Sequence, residues 1–273
     1  MSQAVHQGIA GSVLRLAAMV SRHTYVLRGS FARLIELVYW PTVQMVMWGF
    51  LTQFLAGQTS YVAQAFGVLI SAVMLWDVLF RGQLGVSLTF FEEMWSRNLG
   101  HLFVSPLRPS EFGATLLIMS MVRTLLGMGP ASFLAVLFFG FSVYSMGLSL
   151  AVFFFSLLMF GWAIGLAVSG LVLRFGMGAE NIAWGLVFGL MPISAVYYPV
   201  SVLPDWLQSL AWGMPPAYAF EGMRSILVSG IVRYDYMGMA FMLNAVYLVL
   251  GMGAFFAFFR LARRHGKLLS MGE

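Results

Sequence analysis

Long apolar runs separated by short polar stretches set the pattern of this chain. A membrane-crossing helix needs about 20 mostly apolar residues. On that measure six segments qualify: 34–55, 62–80, 112–140, 148–172, 182–203 and 236–259. The third is too long for one straight crossing and holds Gly127, Gly129 and Pro130, which predicts a kink or break. The fifth runs into a stretch rich in proline and tryptophan.

Two amphipathic patterns lie outside these runs. In the first 33 residues Ile9, Val13, Leu16, Val20 and Leu27 fall on one helical face with Arg15 and Arg22 on its flank, which predicts a helix along the membrane interface. No short apolar core with a small-residue cleavage site follows the early arginines, so a cleaved leader is not expected. In the second, over residues 88–104, Leu88, Phe91, Trp95, Leu99 and Leu102 repeat at helical spacing. Glu93 and Arg97 sit four apart and can pair on the flank. Pro106 and Pro109 then end the helix. A merely solvated loop has no need of such a stripe, and the segment reads as a helix presenting a charged side, Glu92 and Glu93 included, to the cytosol.

Composition settles the class. The chain is 60% hydrophobic and 9% charged, against about 25% charged in a soluble domain, so it could not cover a water-facing surface. It reads as an all-α polytopic membrane protein. Cysteine is absent, which excludes a disulfide framework, a thiolate metal site and a cysteine nucleophile.

Charge assigns the sides. Arg15, Arg22, Arg28 and Arg33 precede the first run; Arg81, Arg97 and Arg108 fall between the second and third; Arg174 follows the fourth; Arg260, Arg263, Arg264 and Lys267 follow the sixth. These are twelve of the 15 basic residues. Positive charge stays cytoplasmic, so both termini and the helix at 88–104 are expected inside, and the long connection between runs five and six outside.

The chemistry missing from the pattern narrows function. Lys267 is the sole lysine, and its surroundings do not complete a phosphate-binding loop of the G-x-x-x-x-G-K-[ST] kind. His6, His23, His101 and His265 are scattered, so no metal site is expected, and no nucleophile, histidine and acid converge as an active site. Ion-coupled carriers place ionisable residues inside the membrane. Arg123, well inside the third run, is the clear candidate here, either a substrate contact or a structural cation bonded to a neighbouring helix. Asp77 is placed near the cytoplasmic end of the second run, paired with Arg81. Rows of small residues (Gly161, Gly165 and Ser169; Gly185 and Gly189) predict close helix approach.

The outward connection is the most structured of the loops. Pro199 and Pro204 break the fifth run, a short helix fits Trp206 to Trp212, and a second fits 217–228 after Pro215 and Pro216. Both are too short to span, which predicts a re-entrant hairpin over about 199–228 with aromatic rings at headgroup depth. Glu221 and Arg224, three apart, are expected to satisfy each other or cap helix ends.

Two phrases carry a family resemblance. Asn98-Leu99-Gly100-His101-Leu102-Phe103-Val104-Ser105-Pro106-Leu107 resembles the stretch after the second span of ABC-2 type transporter permeases. Pro199 to Pro204, Trp206-Leu207, Pro215, Tyr218, Glu221-Gly222 and Arg224 resemble the second hallmark of that family, in the expected order and on the expected sides. Asn98 and His101 depart from the small and acidic residues commoner at those places. The resemblance implies the membrane half of an ATP-driven exporter, with a homodimer of permeases served by two copies of a separate ABC ATPase that binds ATP and Mg; no cofactor is implied in this chain.

It further implies an organisation of three parts: an N-terminal connecting helix in 1–33, a transmembrane domain over 34–259 and a basic cytosolic tail at 260–273. ATPase coupling would fall to Phe91, Glu92, Glu93, Trp95, Arg97, Leu99, His101, Leu102, Ser105 and Pro106. An outer gate would be built from Pro199, Pro204, Trp206, Pro215, Tyr218, Glu221 and Arg224. The expected location is the plasma membrane, as a bacterial inner-membrane protein, and the expected cargo an amphiphilic or lipid-linked molecule; nothing points to nucleic acid. An ion-coupled secondary carrier and a non-transporting membrane scaffold stay open as alternative classes.

Overall fold

The computed structural model describes residues 8–56, 66–176, 178 and 180–264. His6, His265, Lys267 and the connection at 57–65 lie outside the described residues. Ten α-helices make up the described fold, with no strand: α1 Ile9–Arg28, α2 Phe31–Ala56, α3 Phe66–Trp95, α4 Leu99–Val104, α5 Pro109–Phe139, α6 Leu148–Phe175, α7 Glu180–Ile193, α8 Asp205–Trp212, α9 Pro215–Ser229 and α10 Tyr234–Arg264. Five of them, α2, α3, α5, α6 and α10, are long and apolar enough to cross a membrane.

The centre is α3, buried over most of its length. It packs on α6, α5 and α2, while α6 in turn packs on α10. Close approach of α3 and α6 depends on the predicted small residues. A Cβ on Gly161 would stand 2.6 Å from the Leu79 carbonyl oxygen, and one on Gly165 2.7 Å from Val86 Cβ. The second row is not used this way, since a Cβ on Gly185 or Gly189 would meet nothing within 4 Å. Around this seam Phe153, Leu157, Leu158 and Phe160 of α6 and Leu75 and Leu79 of α3 form the main core.

Helix ends follow local chemistry. Pro109 starts α5, where its missing N–H costs nothing, and Glu111 reaches back to accept from the Arg108 backbone N–H at 2.9 Å. Gly140, at φ 63°, closes the same helix. Pro215 opens α9 in the same manner.

Four expectations are corrected. First, of the kink or break expected at Gly127, Gly129 and Pro130, the break does not occur, because α5 is one continuous helix through all three. Second, α3 does not stop at residue 80 but continues to Trp95, 30 residues in all, or about 45 Å. Arg81 is therefore no loop cation. It lies inside α3, donating from Nε to Asp77 at 2.5 Å, with both side chains almost wholly buried. Neither residue is near the helix end: Asp77 stands about 27 Å along the axis from Trp95.

Third, the fifth apolar run is helical only to Ile193. With 14 residues it extends about 21 Å, short of a 30 Å hydrocarbon core. Pro192 in its last turn and Ala195 at φ 50° end it. Fourth, the arginine flank of α1 is the side turned toward the protein. Gly11, Met19 and His23 toward that flank are buried, as is Leu27 at the far end of the apolar face, whereas Ile9 and Val13 at its start are exposed.

Candidate functional site

Two irregular regions interrupt the helices, and both coincide with the motifs. The first is a knuckle between α3 and α5. It does not form one helix over 88–104. Instead α3 ends at Trp95, Arg97 takes φ 54°, and the six-residue α4 follows. The break is held locally: the Asn98 backbone N–H donates to the Glu93 carbonyl at 3.0 Å, and Asn98 Nδ2 donates to Glu93 Oε2 at 2.7 Å.

The stripe divides at this knuckle. Phe91, Leu99 and Leu102 are buried, packed with Met94, Leu107 and Phe112 in a second core. Trp95, Arg97, His101, Ser105 and Pro106 are exposed, as are Ser96 and Val104. The knuckle is thus pinned by its apolar side and presents one indole, polar groups and Val104 outward.

Glu92 and Glu93 do not point outward with them. Glu93 is buried and accepts from Arg22 Nη1 as well as from Asn98, with His23 Nε2 3.3 Å away. Its expected partner Arg97 is not the one it takes. Glu92 receives Arg123 Nη2 at 2.8 Å and lies 3.6 Å from Arg33 Nη1. The two adjacent carboxylates therefore diverge, one to α1 and one to α2 and α5. Arg123 is thus bonded to an acid on a neighbouring helix, α3.

Spacing rules could not find these partners, because Arg22, His23, Arg33 and Arg123 come from three other helices. A third strap, also unforeseen, joins α1 to the start of α5, where Arg15 donates to Glu111 through Nε at 2.9 Å and Nη2 at 2.6 Å, and Ser12 adds a bond at 2.6 Å. Burial holds the His23 imidazole below its ordinary pKa and outweighs the pull of Glu93. It is neutral near pH 7, and its contact with Glu93 is not an ion pair there.

The second irregular region follows α7. Arg224, buried on α9, donates from Nη2 to the Ala195 carbonyl at 2.8 Å and from Nη1 to that of Val196 at 3.1 Å. Glu221 accepts from the Val200 backbone N–H at 2.6 Å and from Arg224 Nη2 at 3.2 Å. Together they satisfy backbone groups that a broken helix leaves without partners. Pro215 is buried below, Tyr218 is half-buried against Trp212 and Tyr236, and Pro199, Pro204 and Trp206 are exposed.

No group of three or more metal-ligating side chains occurs among the described residues. No curated protein matches the chain. A family profile described as ABC-2 type transporter matches residues 25–228, from the end of α1 through both irregular regions to the last turn of α9. With three quarters of its length matched, this chain belongs to the ABC-2 type transporter family, as a transmembrane permease component.

Proposed function

We propose that the chain is the permease of an ATP-driven exporter, working as a homodimer with two copies of a separate ATPase that binds ATP and Mg. The observation that carries this reading is the knuckle at residues 95–106. It is an exposed, non-spanning element fixed to the end of the central helix α3 and held by buried Phe91, Leu99 and Leu102. A push on its exposed side passes into α3 through those contacts, and into α1, α2 and α5 through Glu93 and Glu92. The docking face is accordingly Trp95, Arg97, His101, Val104, Ser105 and Pro106, with Glu92 and Glu93 behind it as connectors.

The orientation adopted is knuckle, α1 and the basic tail in the cytosol of a bacterial inner membrane, with α8 and α9 as a re-entrant outer gate. The α7 segment and the irregular stretch after it complete a sixth crossing. Exposed Trp184, Leu186 and Phe188 on α7 face lipid or the second permease copy. An amphiphilic or lipid-linked cargo suits this apolar, aromatic interior. A proton-coupled carrier is less well supported, since the buried Asp77 is bonded to Arg81.

The test is reconstitution. The chain is co-expressed with an ABC ATPase sought in the neighbouring reading frames, the pair is purified, and ATP hydrolysis is measured with permease variants. Trp95→Ala combined with Val104→Asp should release the ATPase while leaving the permease folded in the membrane. Full ATPase stoichiometry in that variant would refute the docking face.

A further inference from the structure

The corner between α1 and α2 carries more charge and more unmet hydrogen-bonding capacity than the fold uses. Arg22, Arg33 and Arg123 stand around two carboxylates, Glu92 and Glu93, leaving an excess of one positive charge with His23 neutral. Three nitrogens of this cluster are buried without a hydrogen-bond partner among the described residues: Arg123 Nε, Arg33 Nη1 and His23 Nε2. The side chains of Arg123 and His23 are themselves more than nine-tenths buried, at 8% and 3% exposure. Such groups are costly unless an acceptor reaches them.

The cluster is open on one side. The Arg22 and Arg33 side chains are 41% and 42% exposed, and Arg28 is exposed in the last turn of α1. Exposed Phe31, Ile35 and Tyr39 continue from this opening along α2. Glu36, one turn beyond Arg33, is exposed as well and is the acid that disfavours an anion there. Cationic forks at the interface beside an apolar helix face suit a ligand with a compact anionic head and hydrocarbon tails.

We infer that the α1–α2 corner binds the phosphate headgroup of an inner-leaflet amphiphile, with Arg22 and Arg33 as the gripping forks, Arg123 and His23 behind them, and the tails on the exposed face of α2. The phosphate oxygens accept from the exposed parts of the Arg22 and Arg33 guanidinium groups, and the buried Arg123 adds positive charge behind them. The inference rests on the cytosolic placement of this corner adopted above, and not on pairing with an ATPase. A lipid occupant is favoured over free phosphate because Phe31, Ile35 and Tyr39 give the tails a surface that an inorganic ion would leave unused.

The experiment uses the full chain in detergent, mixed with equimolar phosphatidic acid and phosphatidylcholine, and counts retained lipids by native mass spectrometry. Phosphatidic acid should be retained preferentially. Arg33→Gln and Arg22→Gln should each weaken that preference about tenfold, Arg33→Lys less, and Arg233→Gln at the other end of the molecule not at all. A photo-crosslinking phosphatidic acid on the unmutated chain should label residues 20–40, a readout that stands if a variant fails to fold. Equal retention of the two lipids, or labelling elsewhere, would overturn the inference. Displacement of the label by inorganic phosphate alone would overturn the lipid assignment in favour of a free-anion site. None of these readouts involves nucleotide, so failure here with intact ATP-driven transport leaves the exporter reading standing, and the reverse result leaves the lipid site standing.

Discussion

Arg224 donates from Nη2 to the carbonyl oxygen of Ala195, 2.8 Å away, and Ala195 is a non-glycine residue held at φ 50°. Left-handed backbone costs a residue with a Cβ about 1–2 kcal/mol, so something must hold it. Arg224 and Glu221 together do, by gripping the chain at Ala195, Val196 and Val200. The break after α7 is thus maintained from α9, and a shift of α9 moves the C-terminal end of the apolar run.

Glu221→Ala removes the acceptor for the Val200 N–H and one partner of Arg224. Export should fall several-fold while the ATPase stays bound, because this site and the knuckle lie at opposite ends of the molecule. The check is transport and co-purification at matched membrane levels. Unchanged export by a normally abundant variant would exclude the clamp from the mechanism.

The buried pair Asp77–Arg81 gives a different kind of prediction. Arg81→Met alone strands a carboxylate inside the helix bundle, a loss of about 3–5 kcal/mol, and the variant should be scarce in membranes. The double change Asp77→Leu with Arg81→Met should restore abundance. Transport by the double variant then decides between a structural pair and a working one.

These residues also show what was legible in the sequence and what was not. Runs of apolar residues and the prolines at 109 and 215 located the long helices and the starts of α5 and α9, because span length and helix punctuation are local properties. The helical spacing at 88–102 marked residues buried at the knuckle without revealing the break at Arg97. The pairing of Asp77 with Arg81 was legible from their i,i+4 spacing, but the end of α3 was misplaced. The pair was read as marking the end of the span, whereas the helix continues through it to Trp95. The inward turn of the α1 arginines was hidden for another reason: Glu93 and Glu111 are their partners, and sequence spacing is silent on ion pairs formed across some 70 to 100 residues. The row Gly161–Gly165 was visible, but only the fold distinguishes it from Gly185–Gly189, which meets nothing.

That distinction is itself testable. Gly161→Val would drive side-chain atoms into the Leu79 carbonyl and should destabilise the α3–α6 seam by about 1–3 kcal/mol or more. Gly189→Val meets open space within the protomer and should leave its thermal stability unchanged. Equal effects of the two, measured by thermal unfolding in detergent, would deny the seam its role.

The absence of native cysteine allows a clean test of orientation. Cysteine at Ser105, on the knuckle, should resist an impermeant thiol reagent in intact cells, whereas cysteine at Ser145, exposed in the turn between α5 and α6, should react. Reaction at Ser105 from outside would invert the molecule and remove the docking face from the cytosol.

The strap between α1 and the knuckle should respond to pH through His23. Its folded pKa is depressed by burial, so between that value and the ordinary 6.5 the unfolded or undocked state binds more protons than the docked one. Stability therefore rises with pH across this window. The docked arrangement is fully present above about pH 6.5 and weakens as pH falls toward the folded value. Hydrogen exchange of α1 should accelerate on acidification through that range, and His23→Gln, which cannot titrate, should flatten the response while Arg22 and Glu93 keep the strap in place. Acceleration that persists unchanged in His23→Gln would transfer the effect to the carboxylates. The sign of the first result is fixed by burial: were the Glu93 contact dominant, His23 would charge more readily when docked, and acid would tighten α1 against the knuckle instead of freeing it.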